Sequence, residues 1–255
     1  MGIDTALHRG VTAFVRSLTT RLKSAADAES KYLSFLSHDL RNNLSGVTLT
    51  LEWLRHRLAA SPDFKEEVND LDTLQHSITE TVEGMDRLLQ AVRLRKQSVA
   101  LKLAPVNLHR LVNDLIGSAA RAATAKGLTL ESAVPADAGA NSDRELVTLV
   151  LQNLLGNAIK YSTAGSIRVA AEEDPLGWLL SVSDQGPGIA PDRLKTLFDA
   201  FTRGDSHAQP GVGLGLNIAS HAARLLGSEL RVHSTPGQGS TFSFTLPPAP
   251  PNITL

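Results

Sequence analysis

The chain has 255 residues, of which 42% are hydrophobic and 20% charged, a balance that excludes a disordered chain. Twenty-five Lys+Arg against 26 Asp+Glu leave a formal net charge of −1, so charge gives no reason to expect a nucleic-acid or anionic-membrane partner. There is no cysteine, which excludes disulfides, thiolate nucleophiles and zinc–thiolate sites.

The N-terminus, with Asp4 and no apolar core, does not read as a signal peptide. The longest apolar run, 146–159, is interrupted by Gln152, Asn153 and Asn157 and falls short of the roughly 20 residues that span a bilayer. A soluble protein, or the soluble cytoplasmic portion of a larger sensor, is the expectation, with no membrane contact by this chain itself.

The first hundred residues contain one proline, Pro62, and four of the 19 glycines. They are helical by period. Leu33, Leu40, Val47 and Leu54 form a seven-residue row with Leu44, Leu51 and Leu58 beside it. Val68, Gln75, Val82 and Leu89 form a second row, paired with Leu71, Ile78, Met85 and Val92. Between them, residues 59–63 (Ala-Ala-Ser-Pro-Asp) read as a hairpin turn. Two helices bury too little apolar surface alone, so the expectation is a homodimer joining two hairpins into a four-helix bundle over residues 25–97. Residues 1–24 read as a signal-carrying helix.

After a linker at 98–106 the pattern turns to α/β. Helices are predicted over 107–126 (ended by Gly127), 143–161 (capped by Ser142 or Asp143) and 214–226. Strands are predicted over 128–134, 166–172, 178–183, 228–234 and 240–246, and residues 248–255 read as a proline-rich tail with no core to join. The fold class expected is α+β: a helical hairpin followed by an α/β sandwich at 107–247.

Three elements in the second part carry polar chemistry. Asn153, Asn157, Lys160 and Tyr161 share one helix face; an amide oxygen suits Mg²⁺, and a lysine beside it neutralises phosphate. Asp184-Gln185-Gly186-Pro187-Gly188-Ile189 follows a strand, where a carboxylate accepts from an exocyclic amine and glycines admit a base closely. Gly211-Val212-Gly213-Leu214-Gly215-Leu216 opens a helix whose free N–H groups suit a polyphosphate. It is neither a P-loop nor a Rossmann fingerprint. Each element alone also reads as an ordinary polar turn or helix face.

In order, Asn157, Asp184-x-Gly186-x-Gly188, Phe198-x-x-Phe201-x-Arg203, Gly211-x-Gly213-x-Gly215 and Gly237-x-Gly239-Ser240-Thr241 resemble the nucleotide boxes of the catalytic ATP-binding domain of sensor histidine kinases. Type II topoisomerases and anti-sigma kinases share most of these boxes. Upstream, Phe35-Leu36-Ser37-His38-Asp39-Leu40-Arg41-Asn42-Asn43-Leu44 resembles the histidine-kinase H box, with Asn43 where the family usually has proline.

The resemblance covers residues 30–247. It implies ATP-dependent autophosphorylation of His38, with Asp39 as acid/base partner, then transfer to an aspartate of a response-regulator receiver domain. It implies Mg²⁺ at Asn157 and Asn153, with Lys160 and Arg203 near the phosphates. Asp184 would read adenine, in a pocket shaped by Tyr161, Gly186, Gly188, Ile189, Phe198, Gly211, Gly213, Leu214, Gly215, Leu216 and Thr241, with a mobile lid over 201–211. Asn42, one turn after His38, is expected to aim a water at the regulator's aspartyl phosphate. A non-catalytic, ATP-binding dimeric scaffold or a phosphotransfer protein of the same superfamily is the alternative reading.

Overall fold

The computed structural model describes residues 42–95, 100–202 and 213–249, and the chain divides into two compact units, 1–96 and 97–255. His38, Asp39, Arg203 and Gly211 therefore lie outside the described residues, as do Leu33, Leu40 and most of the 201–211 segment.

The first unit is a helical hairpin. Helix α1 runs through residues 42–58, a turn follows, and a single 3-10 turn (Pro62–Phe64) leads into α2 (Lys65–Arg95). The turn forms where expected because Pro62 at the first position has its φ preset and Ser61 Oγ accepts from the Asp63 N–H. The two helices are tied by Arg55 Nε to Asp72 Oδ1 at 2.6 Å and Gln75 Nε2 to Glu52 Oε1 at 3.1 Å. Leu44, Leu51 and Leu58 on α1 are half-buried, as are Leu71, Ile78, Met85 and Val92 on α2. Val47 and Leu54, from the neighbouring row, are 45% and 36% exposed. On α1, one apolar row therefore faces the hairpin partner and the other is more open, whereas on α2 Val68, Val82 and Leu89 of the second row are half-buried as well.

The second unit is a two-layer sandwich. A five-stranded sheet has the order β2 (Leu128–Ala133), β4 (Gly165–Asp174), β5 (Gly177–Asp184), β7 (Gly239–Leu246), β6 (Arg231–Thr235). Only the β2–β4 pair is parallel. Helices α3 (Leu108–Ala125), α4 (Arg144–Tyr161) and α6 (Gly215–Leu225) form the second layer, with a one-turn α5 (Pro191–Leu194) leading out of the Asp184 loop. Alternation decides which sheet face they cover. Trp178, Leu180 and Val182 on β5 are buried opposite Leu246, Phe244 and Phe242 on β7, while Ser181, Ser183, Ser243 and Thr245 take the other face.

The sequence reading needs correction at two places. Residues 104–107, placed mostly in a linker, form β1 (Ala104–Asn107), which pairs antiparallel with an unpredicted β3 (Gly139–Ser142). The start of the expected coreless tail is also bound: Pro247 O accepts from Asn141 N–H and Ala249 N–H donates to Gly139 O. A short strand offers free backbone groups, and those groups are satisfied by pairing. Residues 250–255 lie outside the described part.

Asp143 fixes the start of α4. Its Oδ1 accepts from the Glu145 and Leu146 N–H groups and its Oδ2 from the Lys102 N–H, so a buried carboxylate is fully hydrogen-bonded. The other end of α4 is closed by Lys126, whose Nζ donates to the Ile159 and Lys160 carbonyls at 2.9 Å each. No described helix is long and apolar enough to cross a membrane.

Candidate functional site

Helices α4 and α6 bring the first cluster together. Asn153 and Asn157, a turn apart on α4, are half-buried. Asn153 Nδ2 donates to Leu149 O at 2.8 Å, which leaves its amide oxygen pointing away from its own helix. A methyl group at Gly215, the first residue of α6, would lie 3.1 Å from Asn153 Oδ1 and 3.7 Å from both amide atoms of Asn157. The two amides thus border the N-terminus of α6, where the first N–H groups have no intrahelical partner and no side chain caps them. Lys160 Nζ sits 5.0 Å from the centre of the Tyr161 ring, one turn further along α4.

Two other predicted residues of this loop differ in place. Leu214 is 1% exposed and anchors the loop in the core, while Leu216 is half-buried. Gly213 has φ +73°, and a side chain there would press on the Thr202 carbonyl. Phe201 N–H donates to Gly213 O, which joins the chain on either side of 203–212.

The second cluster sits at the end of β5. By the same alternation that buries Leu180 and Val182, Asp184 belongs to the helix-covered face. Its Oδ1 accepts from the Gly186 N–H at 2.9 Å. Burial pushes the carboxyl above its ordinary value, and the Gly186 and Ser240 backbone N–H groups pull it partly back. A methyl group at Gly186 would stand 2.9 Å from Asp184 Oδ1, 3.4 Å from Tyr161 O and 3.6 Å from Ser162 Oγ. Glycine here keeps open the space in front of the carboxylate.

The loop after Asp184 is strapped to the β6–β7 turn. Gly237 N–H donates to Pro187 O at 2.7 Å, and Ile189 N–H donates to Ser234 Oγ at 2.8 Å. Gly188 has φ +70°, and a Cβ there would collide with the Thr235 carbonyl. Gly188→Ala is expected to destabilise the α/β unit by about 1–3 kcal/mol, from positive φ and the backbone clash together. Urea unfolding monitored by tryptophan fluorescence measures it, and an unchanged midpoint would mean the loop is not held as described.

Thr241 is not brought together with Asp184. It lies on the polar sheet face, its Oγ1 2.9 Å from Ser183 Oγ, because alternation from Phe242 and Phe244 turns it away from Asp184. Ser240 is the residue opposite Asp184: it is buried, its backbone N–H supports the carboxyl, and its Oγ lies 3.0 Å from Ser234 Oγ. Counting back by twos from Phe242 would have found it.

Three further residues were not assigned to the site from the sequence, although Gly239 stood in the last glycine box. Asn217 is buried on α6 and its Nδ2 donates to Phe198 O at 2.8 Å, so half-buried Phe198 is held through its carbonyl. Gly239 admits no side chain because it would meet the Asp184 carbonyl. Ser162 is the third. Asn42 is exposed at the start of the described part of α1.

Comparison with known proteins gives this geometry a family. Residues 142–250, which hold both clusters, match the family of histidine kinase-, DNA gyrase B- and HSP90-like ATPases. The α/β unit is a domain of that class. The likeness extends over the hairpin as well: the chain is 31% identical over 232 residues to the sensor histidine kinase GacS of Pseudomonas protegens, covering 87% of this chain and 25% of that protein. It is 32% identical to the adaptive-response sensory kinase SasA of Crocosphaera subtropica, covering 86% of this chain and 59% of that one. Among solved structures, full-length ShkA in complex with AMPPNP shares 30% identity with a TM-score of 0.70, over 86% of this chain and 46% of that one. The chain belongs to the sensor histidine kinases. It spans between about a quarter and three-fifths of the length of these curated relatives.

Proposed function

We propose that this chain is an ATP-dependent protein histidine kinase, which phosphorylates its own His38 and passes the phosphoryl group to an aspartate of a response-regulator receiver domain. The observation that carries the nucleotide half is the approach of the Asn153 and Asn157 amides to the N-terminus of α6, within the same domain as the half-buried Asp184 acceptor. An adenine amine would donate to Asp184, Gly186 would leave room for the ring, and Gly188 would shape the loop through its positive φ. The phosphates would meet the first N–H groups of α6, with Lys160 and Arg203 supplying positive charge.

Among the described residues no group of three His, Cys, Asp or Glu side chains is placed to hold a metal ion. Amide oxygens of Asn157 and Asn153 fit Mg²⁺, which keeps waters and takes its remaining ligands from phosphate. Bound there, Mg²⁺ would neutralise charge on the transferring phosphoryl group.

In the transfer itself a ring nitrogen of His38 bonds to the γ-phosphorus as the bond to the β-phosphate oxygen breaks, and ADP leaves. Asp39 takes up the proton that the resulting imidazolium sheds. The receiver's aspartate carboxylate then displaces the imidazole. In a separate phosphatase reaction Asn42, one turn after His38, would position a water against the aspartyl phosphate, so that the P–O bond to the carboxylate breaks and inorganic phosphate leaves.

The hairpin, residues 25–97, is assigned to dimerisation and phosphotransfer, and 107–247 to ATP binding. The occupant proposed for the exposed Val47 and Leu54 row is a second copy of the hairpin, since the row continues as Leu40 and Leu33. Val47→Glu with Leu54→Glu is expected to raise the dimer dissociation constant at least a hundredfold, as two buried apolar positions become charged (about 3 kcal/mol or more). Sedimentation equilibrium reads it, and an unaltered dimer would place the interface elsewhere. A cytoplasmic location goes with this reading.

The decisive experiment is incubation with γ-labelled ATP and Mg²⁺. Acid-labile, base-stable label on the protein supports the kinase. Tight ATP binding without label would leave the dimeric scaffold instead.

A further inference from the structure

Ser162 carries an unused hydroxyl in a place where the proposed ligand would need one. The residue is 2% exposed, and its Oγ has no hydrogen-bond partner; Asn217 Oδ1 is the other such side-chain atom among the described residues. Ser162 ends α4, but the end does not require the side chain, because its backbone N–H already donates to Ala158 O. A buried hydroxyl without a partner is costly and calls for an occupant.

Its surroundings say which kind. Ser162 Oγ and Asp184 Oδ1 border the same small space, the one Gly186 keeps open, at 3.6 Å and 2.9 Å from the position a methyl group would take. That pairs a carboxylate, which accepts only, with a hydroxyl free to donate. The adenine edge has the complementary order: an amine that donates, flanked by two ring nitrogens that accept. Guanine presents a carbonyl oxygen where adenine has the amine, and it would face the carboxylate lone pairs.

We propose that the Ser162 hydroxyl donates, directly or through one water, to a ring nitrogen flanking the adenine amine, which makes Ser162 a specificity-determining residue beside Asp184. The inference rests on reading the Asp184 pocket as the nucleotide site.

The test is calorimetric titration of the whole chain and its Ser162→Ala variant with ADP, 1-deaza-ADP and 7-deaza-ADP, with nucleotide-free melting temperatures alongside. Ser162→Ala should weaken ADP binding about five- to tenfold, the effect of one lost hydrogen bond. Its nucleotide-free melting temperature should hold or rise, since no bond within the protein is lost. One deaza analogue should bind wild type more weakly than ADP does, and that deficit should vanish in the variant. Unchanged ADP affinity in Ser162→Ala overturns the proposal, as do deficits that persist undiminished with both analogues. A lower melting temperature with wild-type affinity would make the hydroxyl structural and equally overturn it. Loss of ADP binding in Asp184→Asn alongside an unaffected Ser162→Ala sinks this inference and leaves the pocket; a wild-type chain that binds no ADP removes both.

Discussion

His38→Ala is expected to abolish incorporation of label from γ-labelled ATP while ATP affinity stays within about a factor of two of wild type. The reason is a division of labour along the chain. Each residue assigned to the nucleotide lies between Asn153 and Ser240, in the unit that begins at Gln97, whereas His38 belongs to the hairpin sequence. Removing an imidazole from one unit takes away the acceptor and leaves the donor's pocket intact. Other histidines are engaged elsewhere: a His109 ring nitrogen is 2.7 Å from Val134 O, His221 Nδ1 is 2.9 Å from Asn217 O, and His76 pairs with Glu80 one turn away. Label retained by the variant would sink the assignment of His38. Label lost together with ATP binding would mean that the substitution acts through the fold.

What the sequence made legible follows the physics of each element. The hairpin was readable because a seven-residue period repeats long enough to stand out, and α4 because Asp143 caps an amphipathic run. The glycine boxes were readable as a set, since positive φ at Gly188 and Gly213 and close backbone approach at Gly239 are demands that only glycine meets. Strands β1 and β3 were not, being four residues each and containing Pro105 and Gly139, too short for a period-2 pattern to form. Thr241 shows a different limit. Motif matching found the right strand, but a one-residue shift in a strand changes the face, and only the pairing of Ser240 with Asp184 fixes which hydroxyl is inside. Ser162 had no signal at all, because a hydroxyl becomes notable only when nothing bonds to it.

Asp184→Asn is expected to weaken ATP binding by about 1–3 kcal/mol, roughly five- to 150-fold, without lowering nucleotide-free stability at neutral pH. An ionised carboxylate can accept at both oxygens; the amide replaces one acceptor by an NH₂ donor, which then stands where the adenine amine needs an acceptor or against a backbone N–H. The stability half follows from the raised carboxyl. Burial outweighs the Gly186 and Ser240 N–H groups, so the folded state holds the Asp184 proton more tightly than the unfolded chain does. Stability is then lost as pH rises from the ordinary carboxylate value through the raised one, and stays lost at pH 7. The neutral amide does not carry that penalty, so the variant should melt no lower than wild type at neutral pH, and its relative gain should disappear in acid. Nucleotide binding runs the other way, because it needs the ionised acceptor. The ratio of wild-type to variant ATP affinity should therefore shrink as pH falls through the raised value, starting above the range where an exposed aspartate titrates; taking the ratio cancels the titration of the nucleotide itself. Calorimetry across that range decides the matter. Equal affinities at neutral pH would remove Asp184 from the base pocket, and a ratio that holds until an ordinary aspartate protonates would show that burial does not set its ionisation.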